Sequence, residues 1–402
     1  MLAAALFINY VDRGALPTAA HLIQAELHLS KAQLGVLMSA FFWTYASAQI
    51  PVGWLAERYG AQRVLAAGLS VWAVATILTG VSSVFPALLL LRLLLGLGES
   101  AGFPCVSKLL AAEVPRESLG RANGMVSFAY LFGPAVGTYA GGLLMARYGW
   151  RASFLVFGSL SLLWLLPWSR VAAQQATLRQ APVRGPTLAD ILRQRSLWGT
   201  GLGHFSSNYT YYFLLSWLPF YLVRERGYST VEMAELTGLA YVVSGVCALA
   251  SGWMVDAFIA RGGSANAAYK SAMAAAHGGA VICMLCMALG PRPLVLASIF
   301  VYLALVGAAS PGVFAVAQIV AGPQAAGRWV GIQNTIGNLA GVVAPALTGF
   351  IIQSTGHFTA AFIVAAVVSL LGLIGWVLIL PAVRQLHWNT GQRGQEERTV
   401  PV

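Results

Sequence analysis

Charge is what this chain of 402 residues has least of. Lys, Arg, Asp and Glu together make up 9% of it, where a soluble domain carries about 25%. A water-facing surface cannot be covered with so few charges. That excludes a soluble enzyme, a disordered chain and a nucleic-acid-binding domain, in spite of a formal net charge of +11. Cysteine is scarce too: 4 residues cannot make a disulfide scaffold. Two of them, Cys283 and Cys286, form a CxxC inside an apolar run with no second ligand pair, so neither a metal nor a redox role is expected. What the chain does have is apolar side chain, 58% of all residues. An all-α polytopic membrane protein follows, since a helix satisfies its own backbone hydrogen bonds in lipid.

Twelve apolar runs are long enough to cross a bilayer, each about 20 residues or more. They fall near 2–25, 31–55, 62–82, 85–110, 119–145 and 151–170, then 197–222, 230–256, 267–290, 292–320, 328–353 and 357–382. The first run starts almost at Met1 without a basic leader or a small-residue cleavage site, so it is read as a retained span. A polar stretch with Arg170, Arg179, Pro182, Arg184 and Pro186 divides the runs into two sets of six. The expected organisation is a bundle over 1–170, a cytoplasmic linker over 171–196, a second bundle over 197–383 and a tail over 384–402. Sixteen Lys and Arg lie on the side of the linker and tail, and six on the other side. The positive-inside rule places both termini and the linker in the cytoplasm.

The halves resemble each other. Val52-Gly-Trp-Leu-Ala-Glu57 has its counterpart in Ser251-Gly-Trp-Met-Val-Asp256, and Phe132-Gly-Pro134 a weaker one in Val343-Ala-Pro345. Repeated six-span halves are the plan of many secondary transporters, with the substrate site at the midplane between them. The run Gly53-Trp-Leu-Ala-Glu57-Arg58-Tyr-Gly60-Ala-Gln-Arg63 resembles the loop motif of the major facilitator superfamily. Asn9-Tyr-Val-Asp12-Arg13, Arg92-Leu-Leu-Leu-Gly96-Leu-Gly98-Glu99 with Gly102 and Pro104, Gly149-Trp-Arg-Ala-Ser-Phe154 and Ser216-Trp-Leu-Pro-Phe-Tyr221 are similar to the anion:cation symporter family within it. That resemblance implies a proton-coupled carrier of sugar acids or other carboxylates, with no cofactor.

Four charges interrupt the apolar helices: Asp12 and Arg13 in the first span, Arg92 and Glu99 in the fourth. A charge at mid-bilayer costs about 2.5–3.5 kcal/mol on insertion scales, so its persistence points to function. Arginine stays charged and presents a fork suited to a carboxylate. A buried acid can load and release a proton. Asp12 and Glu99 are therefore expected as proton-coupling acids and Arg13 as the carboxylate clamp, with Arg92 pairing with Glu99 seven residues on. Tyr10 shares a helix face with Arg13. The resemblance places Tyr10, Tyr45 and one of Asn334 and Asn338 in the pocket, and Tyr130 lies in a helix that lines the cavity in this fold. Tyr130 stands where related sugar-acid carriers tend to have Gln, and Phe314 about where many have Trp. Both changes make the pocket poorer in amides and favour a smaller or more aromatic carboxylate.

Glu57, Arg58 and Arg63, with Asp256 in the second half, are expected to act in gating: in the family the acid engages a helix end of the other half. His204 and His277 read as packing residues, and Gly96-Leu-Gly98 lacks the spacing of a nucleotide fingerprint. The short loop after the first span lacks a glycosylation sequon, which favours a bacterial inner membrane. The expected partners are a small organic anion, protons and the lipid bilayer, with the chain a monomer. A drug:proton antiporter of the same fold is the alternative, and the intramembrane Arg13 and Arg92, which repel cations, speak against it. A sensor would be expected to carry a sizeable cytoplasmic output domain, which the 21 residues after Pro381 do not offer, and a membrane enzyme a catalytic constellation, which the spans do not hold.

Overall fold

The computed structural model describes residues 1–29, 31–176 and 185–388; the linker residues 177–184 and the tail residues 389–402 lie outside it. The described residues are helical without a strand. The helices of the first half are α1 (Leu2–Glu26), α2 (Lys31–Tyr59), α3 (Ala61–Val81), α4 (Phe85–Glu99), α5 (Gly102–Glu113), α6 (Leu119–Tyr148) and α7 (Trp150–Ala176). Those of the second half are α9 (Arg195–Arg224), α10 (Thr230–Ala260), α11 (Ala265–Leu289), α12 (Arg292–Ala321), α13 (Ala326–Thr355) and α14 (Thr359–Ile374), the last continuing as one π turn, Gly375–Ile379. Between them a short helix α8 (Leu188–Leu192) sits inside the expected linker, begun by a capping box between Thr187 and Asp190.

Two details depart from the apolar runs. The fourth span is not one helix: it breaks at Ser100 and Ala101, so that Glu99 is the last residue of α4. The sixth runs on past residue 170, to Ala176. Nine of the described helical stretches are long and apolar enough to span a membrane. The other three of spanning length, α1, α2 and α9, are diluted by polar residues such as Asn9, Asp12 and Arg13, Gln49, and His204 to Asn208. These same helices line the central cavity.

Packing repeats between the halves as the sequence does. In the first half α1 lies along α6 and α3 along α7; in the second α9 lies along α13 and α11 along α14. The halves meet through α2 against α13 and α6 against α10. Small residues permit these approaches. A Cβ on Gly53 would stand 2.6 Å from the Gly327 oxygen, and one on Gly133 would stand 2.8 Å from the Tyr10 Cβ. Gly60 is the single residue between α2 and α3 and needs the left-handed φ of 94° that only glycine adopts freely.

The repeat also shows on the outside. Trp54 and Trp253, matching positions of the duplicated motif, are both exposed, at 40% and 58%. Each carries an arginine on its ring, Arg58 at 5.1 Å and Arg121 at 5.7 Å.

Candidate functional site: a central cavity closed at one rim

A cavity of about 590 Å³ lies between the halves at the middle of the helices. The first half supplies Tyr10, Arg13, Phe41, Phe42, Tyr45, Arg92, Phe103 and Tyr130. The second supplies His204, Ser207, Tyr211 and Tyr212 of α9, His277 of α11, Phe314 of α12, and Asn334 and Asn338 of α13. All seven side chains expected in a substrate pocket therefore meet on one cavity.

Their pairing differs from the expectation in one respect. Arg13 Nε donates to Glu99 Oε2 at 2.6 Å, while Arg92 makes no ion pair among the described residues. Helix geometry gives the reason. Arg92 and Glu99 are seven residues apart, hence about 10 Å along the axis, whereas α1 brings Arg13 level with the end of α4. Arg13 is further held by rings: its guanidinium carbon is 4.3 Å from the centroids of both Tyr10 and Tyr45 and 4.8 Å from that of Phe41. Such contacts are worth about 0.5–2 kcal/mol each. Arg92 is only 7% exposed; it touches the Phe41 ring face, and its Nε is buried without a partner. A buried cation lacking a counterion costs several kcal/mol, so this wall of the cavity is suited to an anion. Asp12 faces the other way, accepting a hydrogen bond from Ser161 Oγ of α7 at 3.1 Å.

The remaining polar groups are largely engaged within the protein. Asn338 accepts from the Tyr212 hydroxyl at 3.1 Å and donates to the Asn334 carbonyl at 2.8 Å. His277 Nε2 and Ser207 Oγ lie 3.2 Å apart. The two histidines, expected as packing residues, both line the cavity; nothing in a lone histidine in an apolar helix signals which way it points.

On one side the cavity is shut by four layers. At its floor Phe103 of the first half stacks on Phe314 of the second, centroids 4.5 Å apart. Next, Thr335 Oγ1 of α13 donates to the Ala46 carbonyl of α2 at 3.0 Å. Then Asn123 and Gln318 exchange two side-chain hydrogen bonds across the halves, at 2.8 and 3.1 Å. At the rim the two motif acids reach across reciprocally. Glu57 accepts from the Gly327 backbone at the start of α13 and pairs with Lys108. Asp256 accepts from the Gly120 and Arg121 backbone at the start of α6, at 2.8 and 2.7 Å, and from Arg121 Nε at 3.1 Å. Each carboxylate thus sits on the positive end of a helix from the opposite half. Arg58 and Arg63 do not join this network: Arg58 lies over Trp54 and Tyr59, and Arg63 is exposed. Lys108, Asn123 and Gln318 do, and no spacing rule marks them in the sequence.

The family model of the Major Facilitator Superfamily matches residues 2–345 and 267–401. Among curated relatives, the hexuronate transporter of Bacillus subtilis is 30% identical over 89% of this chain and 88% of its own. The probable sulfoacetate transporter SauU of Cupriavidus necator is 30% identical over 93% of this chain and 91% of its own. Among solved structures, the human organic anion transporter MFSD10 superposes with a TM-score of 0.76 at 15% identity, over 93% of this chain and 97% of its own, which speaks to the fold alone.

Proposed function

Because the chain belongs to the Major Facilitator Superfamily, we propose that it is a secondary active transporter that takes up an organic anion, a carboxylate or a related acid, together with protons. Of the relatives named above, one is a hexuronate transporter and the other a probable sulfoacetate transporter. The observation that carries the reading is the buried, unpaired Arg92 beside the Arg13–Glu99 pair on one cavity wall.

The coupling follows from charge. In the empty cavity Glu99 neutralises Arg13. An entering carboxylate is drawn to Arg92 and competes for Arg13, which lines the same cavity. Once Arg13 turns to the substrate, Glu99 is left in an apolar site without its cation and is more stable protonated. Substrate and proton then load together. Asp12, buried against Ser161, is the second proton site. Tyr10, Tyr45, Tyr130, Asn334 and Asn338 orient the rest of the ligand.

Alternating access is rocking of the half over 1–170 against the half over 197–383, with the linker 171–196 and the tail 384–402 on the cytoplasmic side. Glu57 and Asp256 latch the cytoplasmic rim, while Arg58 and Arg63 hold its charge. The chain works as a monomer in the inner membrane. The test is uptake by reconstituted vesicles of labelled carboxylates with and without an inward proton gradient. Accumulation that a protonophore abolishes is expected; uptake indifferent to the gradient refutes the symport.

A further inference from the structure

We infer that the cavity is built for an aromatic monocarboxylate, a planar ring carrying one carboxylate, and not for a hydroxyl-rich sugar acid. This rests on the reading of the cavity as an anion site and narrows it.

Three features of the wall carry the inference. The first is ring content. Nine of the lining side chains are Phe or Tyr, and they come from both halves. They form a connected set: Tyr10 meets Tyr130 at 5.4 Å and Phe103 at 6.3 Å, Phe103 meets Tyr130 at 5.7 Å and stacks on Phe314. Offset and edge contacts of this kind are each worth about 0.5–1.5 kcal/mol beyond area burial, and a flat ligand extends such a set.

The second is the state of the polar groups. A sugar acid has a hydroxyl on nearly every carbon, and each hydroxyl buried without a partner costs about 1–3 kcal/mol. Among the described residues the wall offers three amides, Asn208, Asn334 and Asn338; Asn338 is engaged at both ends, and Tyr212, Ser207 with His277, Thr210 with Ser206 and Ser310 with Gly307 also hold protein partners. Among the described residues, buried wall atoms without a partner occur at both ends of the cavity. Arg13 Nη2 and Arg92 Nε lie at the charged end; His204 Nδ1 and Asn334 Nδ2 lie on the far half. Three amides against nine rings suit a ligand with one carboxylate and few hydroxyls.

The third is charge. Arg13 is paired with Glu99, whereas Arg92 lines the wall with no ion pair among the described residues. One carboxylate matches it; a dicarboxylate would leave a second anion among rings. The volume of about 590 Å³ admits one or two fused rings.

The experiment is a thermal-shift titration of the purified full chain in detergent with benzoate, phenylacetate and indole-3-acetate, against glucuronate, galactonate and lactate. Benzamide controls for aromatic partition without charge, and counterflow of labelled benzoate in vesicles for transport. The expected result is half-maximal protection by an aromatic acid at tenfold lower concentration, or less, than by any sugar acid or lactate, with benzamide inert and labelled benzoate exchanged. A sugar acid or lactate that protects at the lower concentration overturns the inference and leaves the anion-carrier reading standing. Equal protection by benzamide overturns it as well, because the carboxylate then plays no part. Protection by none of the acids, but by a lipophilic cation, overturns both readings together.

Discussion

Replacing Asp256 by Asn removes one charge and nothing else from the rim, so its effect can be worked out from contacts. The carboxylate accepts from two backbone N–H groups and from Arg121 Nε. An asparagine keeps one acceptor oxygen and turns an NH₂ toward the other donor. The closed rim thus loses one charge-assisted hydrogen bond, about 1.5–3 kcal/mol, and the helix-end attraction of about 0.3–1 kcal/mol. The Arg121 ion pair adds little, since that side chain is 47% exposed and exposed pairs are worth about 0–1 kcal/mol. Together the closed state loses about 2–4 kcal/mol relative to the opened one, in which these partners are apart. At 1.4 kcal/mol per decade, the closed-to-open ratio should fall by about 30-fold to several hundred-fold. Single-molecule FRET reads this directly, with dyes on cysteines replacing the exposed Arg63 and Arg261 at the rim, in a background freed of the four native cysteines. The population of the long-distance state should rise with little change in substrate affinity. A variant whose distance distribution and turnover stay within twofold of the parent would refute the latch and the arithmetic behind it.

Arg92→Gln should weaken carboxylate binding at least 30-fold, since a buried charge partner of this kind is worth about 2–5 kcal/mol; calorimetric titration of an anion that stabilises the parent reads it, and unchanged affinity would return the clamp to Arg13 alone. Glu99→Gln imitates the protonated acid and should abolish proton-driven accumulation while counterflow persists; a variant that still concentrates substrate passes the coupling role to Asp12. Gly120→Ala puts a methyl group onto Asp256 and the Gly252 carbonyl, so turnover should fall at least tenfold in a protein that still folds, checked by vesicle uptake beside circular dichroism. At the opposite rim, hydrogen bonds from Trp150 and Arg151 hold the Glu26 carboxyl below its ordinary value. A lowered folded-state value means that its stabilisation is present above the usual carboxylate range and lost as pH falls through the lowered one. The melting temperature of the parent should therefore drop below that range by more than that of Glu26→Gln, by an amount set by less than about 1 kcal/mol for so exposed a pair.

The helical architecture was legible because few ways exist to bury so many apolar residues in lipid, and the duplicated Glu57 and Asp256 motifs announced the two halves. Membership of the cavity was legible for the same reason that made it costly: Arg13, Arg92 and the asparagines have no business in an apolar helix unless they face a site. The choice of partner was not. Whether Glu99 meets Arg13 or Arg92 depends on how far α1 slides along α4, and on the break at Ser100 that ends α4 at that acid. No single-helix period encodes either. Asn123 and Gln318 are 195 residues apart and each looks like an isolated amide until the halves close. His204 and His277 were hidden because a helical period gives a face but not the neighbour it turns to.

If the halves rock as proposed, Trp54 and Trp253 give the bilayer a hold on the cycle. Indole rings settle at the headgroup level, and each half carries one on its outer wall near the same rim, with an arginine laid over it. Two floats fixed to two bodies cannot both keep their depth while the bodies rock. As the halves tilt, the rings lift or sink against the lipid, or the leaflet bends to follow them, at a cost of fractions of a kcal/mol per Å of mismatch. The membrane thus acts as a spring in parallel with the carboxylate contacts. Its stiffness and thickness enter the balance between the two orientations of the carrier, and the same chain would run at a different pace in a thick, ordered membrane than in a thin, fluid one.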